Sequence, residues 1–168
     1  MRTKVLSLFA LALLASACSS TPETTAAGNS GGNTAPAATQ PAQPMAGGIQ
    51  AGSREDFEIN VGDRVFFGTD KSDIAAEARA TLDKQAAWLQ QYPSVTAVIE
   101  GHADERGTRE YNLALGERRA NAVKNYLQAA GVNPARLSTV SYGKERPAVL
   151  GSNEAAWQQN RRGVTVVQ

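Results

Sequence analysis

The segment Gly101-His102-Ala103-Asp104-Glu105-Arg106-Gly107-Thr108-Arg109-Glu110-Tyr111-Asn112 gathers both signs of charge, hydroxyls, an amide and the chain's single histidine into twelve consecutive positions. Three kinds of chemistry are conceivable for it. Paired carboxylates do acid/base work only when their environments separate their pKa values and hold them across a bond, and Asp104 and Glu105 are adjacent in a loop. His102 has no second histidine for a metal and no cysteine beside it for nucleophilic attack, so a turn or core histidine is the expected reading, with no catalytic residue, cofactor or metal ligand. Ion pairing remains: an acid for an ammonium and a guanidinium fork for a carboxylate, the two ends of an amino acid. The bland alternative is a solvated charged turn.

The elements that must position this segment follow from its flanks. Arg64-Val65-Phe66-Phe67 reads as a short strand, followed by Gly68 and the polar turn Thr69-Asp70-Lys71-Ser72-Asp73. Ile74 to Gln91 places Ala75, Ala78, Leu82, Ala86 and Leu89 at helical spacing, and Pro93 ends the helix. Val95 to Glu100 is too apolar and β-branched for a surface strand and belongs inside a sheet. Thr108 is a good N-cap for a second helix running to about Ala130, with Gly131 as its stop. Leu137 to Tyr142, a short helix over Asn153 to Arg161, and Val164 to Val167 complete the pattern. The charged segment therefore leaves the C-terminal end of a strand and enters a helix N-terminus, a place where unpaired backbone N–H groups favour ligands. At about 100° per residue, Leu113, Gly116, Ala120, Val123 and Leu127 form the apolar stripe of the second helix; Thr108, Asn112 and Arg119 follow one edge of it, and Arg118 points away. Arg119 is thus expected as a partly sheltered boundary residue. Trp88 and Trp157 are expected to pack on the sheet, and Arg161-Arg162 are a surface pair or a partner contact. The predicted fold class is α+β: a mixed βαβαβ-type sheet under two main helices, with a short third helix.

The N-terminus has a different character. Met1-Arg2-Thr3-Lys4, the apolar run Val5 to Ala15 and the small residues before Cys18 make a secretory signal over 1–17, too short to span a bilayer. Cys18 is the only cysteine and falls at the first mature position, where a lone thiol in an oxidising compartment calls for chemical capping. The segment resembles a bacterial lipobox, with Ala15 where leucine is usual, and lipidation of Cys18 would supply several acyl chains and a stable anchor. Ordinary cleavage after Ala15-Ser16-Ala17 would give the same end without lipid. From Ser19 to Ser53 the chain is Ser, Thr, Pro, Ala, Gly, Asn and Gln with Glu23 as its one charge, so residues 18–53 read as a lipidated end and a disordered linker. Such a linker has a typical span of roughly 30 to 35 Å and a fully extended reach on the order of 120 Å. Of 17 basic and 16 acidic residues only Arg2 and Lys4 lie in the leader, so the mature chain is almost neutral and has no global field to draw it to nucleic acid.

The motifs resemble, in order, the signatures of OmpA-like domains: Phe66-Phe67-Gly68-Thr69-Asp70; Gly101 to Thr108 with Tyr111-Asn112 and Leu115-Gly116-Glu117-Arg118-Arg119-Ala120; Ser141-Tyr142-Gly143-Lys144-Glu145-Arg146-Pro147; and Asn160-Arg161-Arg162. The resemblance spans the whole region expected to fold, residues 54–168, and with the lipobox and linker it is closest to the lipid-anchored members. It implies non-catalytic binding of peptidoglycan through the meso-diaminopimelate of its stem peptide. Asp104 would pair with the ammonium and Arg119 with the carboxylate, Thr69 and Asp70 would help through backbone groups, and Asn112 and Thr108 would buttress the pocket. It also implies an outer-membrane anchor facing the periplasm, a β-propeller partner of the TolB type, and a role in outer-membrane constriction during division. A wall-binding lipoprotein outside the Tol system is the nearest alternative, and a wall hydrolase the remote one.

Overall fold

A computed structural model describes residues 48–168. The expected leader at 1–17, the lipidation site Cys18 and most of the expected linker, 19–47, lie outside the described residues. The first ordered turn is one that periodicity did not announce. Ser53 caps a single helical turn, α1 (Arg54–Asp56), which widens into a π-type turn over Phe57–Val61. Its purpose is Phe57, a fully buried ring that meets Trp88 edge-on at 4.9 Å, while Asp56 accepts the Trp88 indole N–H at 2.8 Å.

The remaining elements are β1 (Arg64–Phe66), α2 (Ala76–Gln91), β2 (Ala97–His102), α3 (Arg109–Ala129), a 3-10 turn (Pro134–Arg136), β3 (Leu137–Gly143), α4 (Glu154–Asn160) and β4 (Arg162–Val167). The sheet order is β1-β4-β2-β3, with β2 and β3 parallel and the other two pairings antiparallel. This is the expected mixed α+β sheet, with the Val95–Glu100 run in the interior as β2. Several boundaries differ. β2 starts at Ala97, because Arg136 ties the carbonyls of Tyr92 and Val95 into the preceding turn, and it continues through Gly101 and His102. β4 begins at Arg162, two residues earlier than its apolar run suggested.

Ala97, Ile99, Leu137, Val65 and Val167 join Leu82, Ala86, Leu89, Ala120, Val123 and Leu127 of the two long helices in one core. Gln85, also buried, staples that core by donating to the Gly62 carbonyl at 2.7 Å and accepting from the Thr165 hydroxyl at 2.9 Å. The closest approach of helix to sheet lies at Gly101 and Gly116. A side chain on Gly101 would collide with the Gly116 carbonyl, and one on Gly116 would meet the Ser141 hydroxyl and come within 2.8 Å of the Gly101 carbonyl oxygen. Two glycines therefore seat the N-terminal half of α3 directly on the end of β2. Among the described residues no helix is long and apolar enough to cross a membrane.

Candidate functional site

The candidate site forms where β2 ends. Its chain passes through Ala103–Gly107 into α3, beside the Gly68–Asp73 turn that follows β1. Thr108 caps α3 as expected, its hydroxyl accepting the Tyr111 N–H at 3.2 Å. Asn112, only 1% exposed, closes the loop by donating to the carbonyls of Arg106 at 2.7 Å and Thr108 at 3.1 Å. Lys144, from the loop after β3, adds bonds to the carbonyls of Glu105 and Gly107. The carbonyls of Glu105, Arg106 and Gly107 thus each accept a side-chain donor, which ties the loop to α3 and to the segment after β3.

Asp104 is 7% exposed and surrounded by cations. Its Oδ1 accepts the Arg106 backbone N–H at 3.1 Å and Nε at 3.2 Å, and its Oδ2 accepts Arg106 Nη2 at 2.6 Å and Arg161 Nη1 at 3.4 Å. Burial pushes this carboxyl up, but the hydrogen bonds and charges of Arg106, helped by Arg161, outweigh it and hold the pKa below the ordinary value. Asp104 is therefore ionised at neutral pH.

Arg119 departs from its expected place on the edge of the stripe. The buried face of α3 is Asn112, Leu115, Gly116, Arg119, Ala120, Val123 and Leu127, so Arg119 lies within the stripe and is 0% exposed. The glycine contact between α3 and β2 draws this turn inward. Its guanidinium donates to the carbonyls of Lys71 at 2.8 Å, His102 at 2.8 Å and Gly68 at 2.9 Å, and lies over the Phe67 ring at 5.2 Å. Arg119 thus binds the β1–α2 turn to the end of β2, two residues before Asp104. Burial lowers its pKa to about 10, which leaves it charged at neutral pH. Arg118 is exposed, as expected.

Asp70 sits on that turn in the left-handed region, φ 54°, and accepts the Tyr111 hydroxyl at 3.3 Å. Thr69, Asp70, Arg106, Gly107 and Tyr111 line a concavity of about 210 Å³, room for one amino-acid end. All six expected residues thus cluster at the end of β2, but Asp104 and Arg119 lie behind the concavity's lining.

Sequence reasoning passed over three contributors. Arg106 bridges Asp104 and the Thr69 hydroxyl and stacks over Trp157 at 4.2 Å. Arg161, read from sequence with Arg162 as a surface pair or a partner contact, is not on the surface: both are buried, and Arg161 holds Asp104 from the inside, donating also to Glu154 at 2.7 Å and to the Phe67 carbonyl at 3.2 Å. Trp157 is half-buried and outside the core cluster; its indole N–H donates to Glu105 at 3.1 Å and its face carries Arg106. The Asp-x-Arg spacing of 104 and 106, which suits a local turn with a returning guanidinium, was the one available signal for Arg106. His102 contributes its carbonyl and not its ring. The ring is 1% exposed, its two nitrogens lack hydrogen-bond partners, and burial with the nearby Arg162 charge lowers its pKa to about 4. Among the described residues no group of three His, Cys, Asp or Glu side chains comes together to hold a metal.

Comparison with known proteins gives a consistent result. The model of the OmpA family matches residues 66–161. The chain is 57% identical over 122 residues to the peptidoglycan-associated lipoprotein of Rhizobium meliloti (strain 1021), covering 73% of this chain and 69% of that one. It is 57% identical over 122 residues to the protein of the same name from Brucella melitensis, covering 73% of each. The crystal structure of the peptidoglycan-associated lipoprotein from Burkholderia pseudomallei superposes with a TM-score of 0.65 at 40% identity, covering 69% of this chain and all 100% of that one. The C-terminal domain of Helicobacter pylori MotB shares the fold, with a TM-score of 0.59 at 24% identity, over 63% of this chain and 84% of that one.

Proposed function

The chain belongs to the OmpA family, among the peptidoglycan-associated lipoproteins, and from that premise we propose that its folded domain grips the cell wall by non-covalent contacts and catalyses nothing. The ligand in this reading is the stem peptide of peptidoglycan, recognised through the free amine and carboxylate of meso-diaminopimelate. The observation that carries it is the convergence of an ionised acid and a charged guanidinium, Asp104 and Arg119, on the end of β2 beside a concavity sized for one amino-acid end.

Asp104 takes the ammonium. Arg119, buried behind the lining, holds the turn that bears Thr69 and Asp70 through three carbonyls, and its positive charge beneath the concavity favours the carboxylate in front of it. Thr69 and Asp70 present backbone groups at the rim, and Thr108 and Asn112 keep the loop in register. Anchored through lipid on Cys18, the chain would link the outer membrane to the wall from the periplasmic side. Its partner would be the TolB β-propeller of the Tol-Pal system, and its service the constriction of the outer membrane at division.

Retention on purified sacculi tests the wall reading. Asp104→Ala is expected to weaken binding by roughly 1.5 to 3 kcal/mol, the range for hydrogen bonds to charged groups. Undiminished retention of the folded variant would remove Asp104 from the site, and soluble muropeptides released during incubation would overturn the non-catalytic reading. Co-purification with TolB from cells tests the partner, since retention on sacculi without TolB places the chain outside the Tol system.

A further inference from the structure

Four charges meet at Asp104. Arg161 approaches from inside with a single contact at 3.4 Å and spends its shorter bond, 2.7 Å, on Glu154. Arg106 approaches from the solvent side, with a side chain 40% exposed, and covers both carboxylate oxygens, at 3.2 Å through Nε and 2.6 Å through Nη2. With both arginines in place the cluster of Asp104, Glu154, Arg106 and Arg161 is neutral. Without Arg106 it is an anion. Arg161 occupies the inner side of Asp104 and the exposed Arg106 its solvent side, so an amine coming from solvent approaches the carboxylate where the Arg106 guanidinium lies.

We propose that Arg106 is the resident occupant of the ammonium subsite: in the free domain its guanidinium holds the place on Asp104 that the amine of the wall peptide takes, and binding exchanges one cation for the other. This rests on the reading that Asp104 receives that amine. Arg106 is built for such an exchange. Its departure leaves the turn intact, since the Arg106 backbone N–H still bonds Asp104 at 3.1 Å and its carbonyl still accepts from Asn112 at 2.7 Å. The guanidinium also has partners besides the carboxylate, because in the same pose it already lies over Trp157 at 4.2 Å and reaches the Thr69 hydroxyl at 3.4 Å, contacts that do not depend on Asp104. The resident cation keeps the buried acid compensated while the site is empty. It also lowers the apparent affinity by the fraction of molecules in which Asp104 is covered.

Calorimetric titration of the full chain with the free tripeptide L-Ala-D-Glu-meso-diaminopimelate tests the exchange. Arg106→Ala is expected to bind that probe about two- to fivefold more tightly than wild type, the range set by a partly exposed ion pair. It should gain nothing for the same tripeptide with its side-chain amine acetylated. Arg106→Gln, which keeps the stem over Trp157, should show the same gain and covers the case in which the alanine variant folds poorly. Weaker or equal binding by either folded variant overturns the proposal, because Arg106 would then be a ligand contact or a plain structural tie. An equal gain for the acetylated probe overturns it too. If wild type is retained on sacculi but binds neither probe, the amine reading beneath the proposal fails, and the exchange with it.

Discussion

Asp104 and His102 stand two residues apart and answer acid in different ways. The carboxyl of Asp104 is held below its ordinary value, so its stabilising contribution is complete at neutral pH and disappears only as pH falls through the lowered folded value, below the ordinary 3.8. His102 has its pKa lowered from 6.5 to about 4 by burial and by the Arg162 and Arg146 charges, with Glu100 Oε2 at 3.5 Å from Nε2 and the Tyr142 ring packed at 5.5 Å. An unfolded chain would take up a proton there from about pH 6.5 downward, whereas the folded one resists until about 4. Stability is therefore full above the unfolded value and falls between these limits, by on the order of 3 kcal/mol. His102→Phe keeps a buried ring of similar shape and removes the titrating group, so thermal unfolding at pH 7 and pH 5 should show this variant with a much flatter acid slope than wild type. An unchanged slope would mean that another group titrates. Spacing alone identified His102 as a non-catalytic residue, but not the depth of its burial or the company it keeps. Likewise the helical projection gave the direction of Arg119 and missed its depth, which is set by how closely α3 approaches β2.

That approach is a property of elements. Gly101 and Gly116 let α3 rest on β2 with backbone against backbone, and the turn after Gly116 then carries Arg119 beneath the β1–α2 turn. In Gly116→Ala the added methyl would meet the Ser141 hydroxyl and the Gly101 carbonyl, which are parts of two different strands. Helix and sheet would have to separate, at a cost of about 1 to 3 kcal/mol, and the Arg119 bonds would lengthen, so both melting temperature and retention on sacculi should fall. Ala114→Gly, at an exposed position of the same helix, should cost up to about 1 kcal/mol in helix propensity and leave retention unchanged. Equal loss in the two variants would detach wall binding from the glycine contact. The long helices and the interior strand were legible because their hydrophobic periods exceed a turn or two. α1 with its π-type extension, and the first two residues of β4, were not. Phe57 is a lone anchor with no periodic companions, and Arg162 and Gly163 are strand residues by pairing with Phe66, Val65 and Gly101 rather than by composition.

At the scale of the whole molecule, the proposed reading gives the chain two attachments: a lipid on Cys18 and a wall-binding surface at the end of β2. Cys18→Ser separates them. Fractionated cells should show this variant lost from the membrane pellet, while the purified protein still sediments with sacculi. Loss of both together would mean that the wall site depends on the anchor. Between the attachments lies the buried Phe57, seated against Trp88 immediately after the chain enters the domain. If lipid on Cys18 holds the chain, a tug from the membrane would meet the Ser53 cap, the Asp56–Trp88 bond and the Phe57 ring before it reached β1. Such a load would draw out this short entry segment first, and the sheet with the residues at the end of β2 would keep its shape.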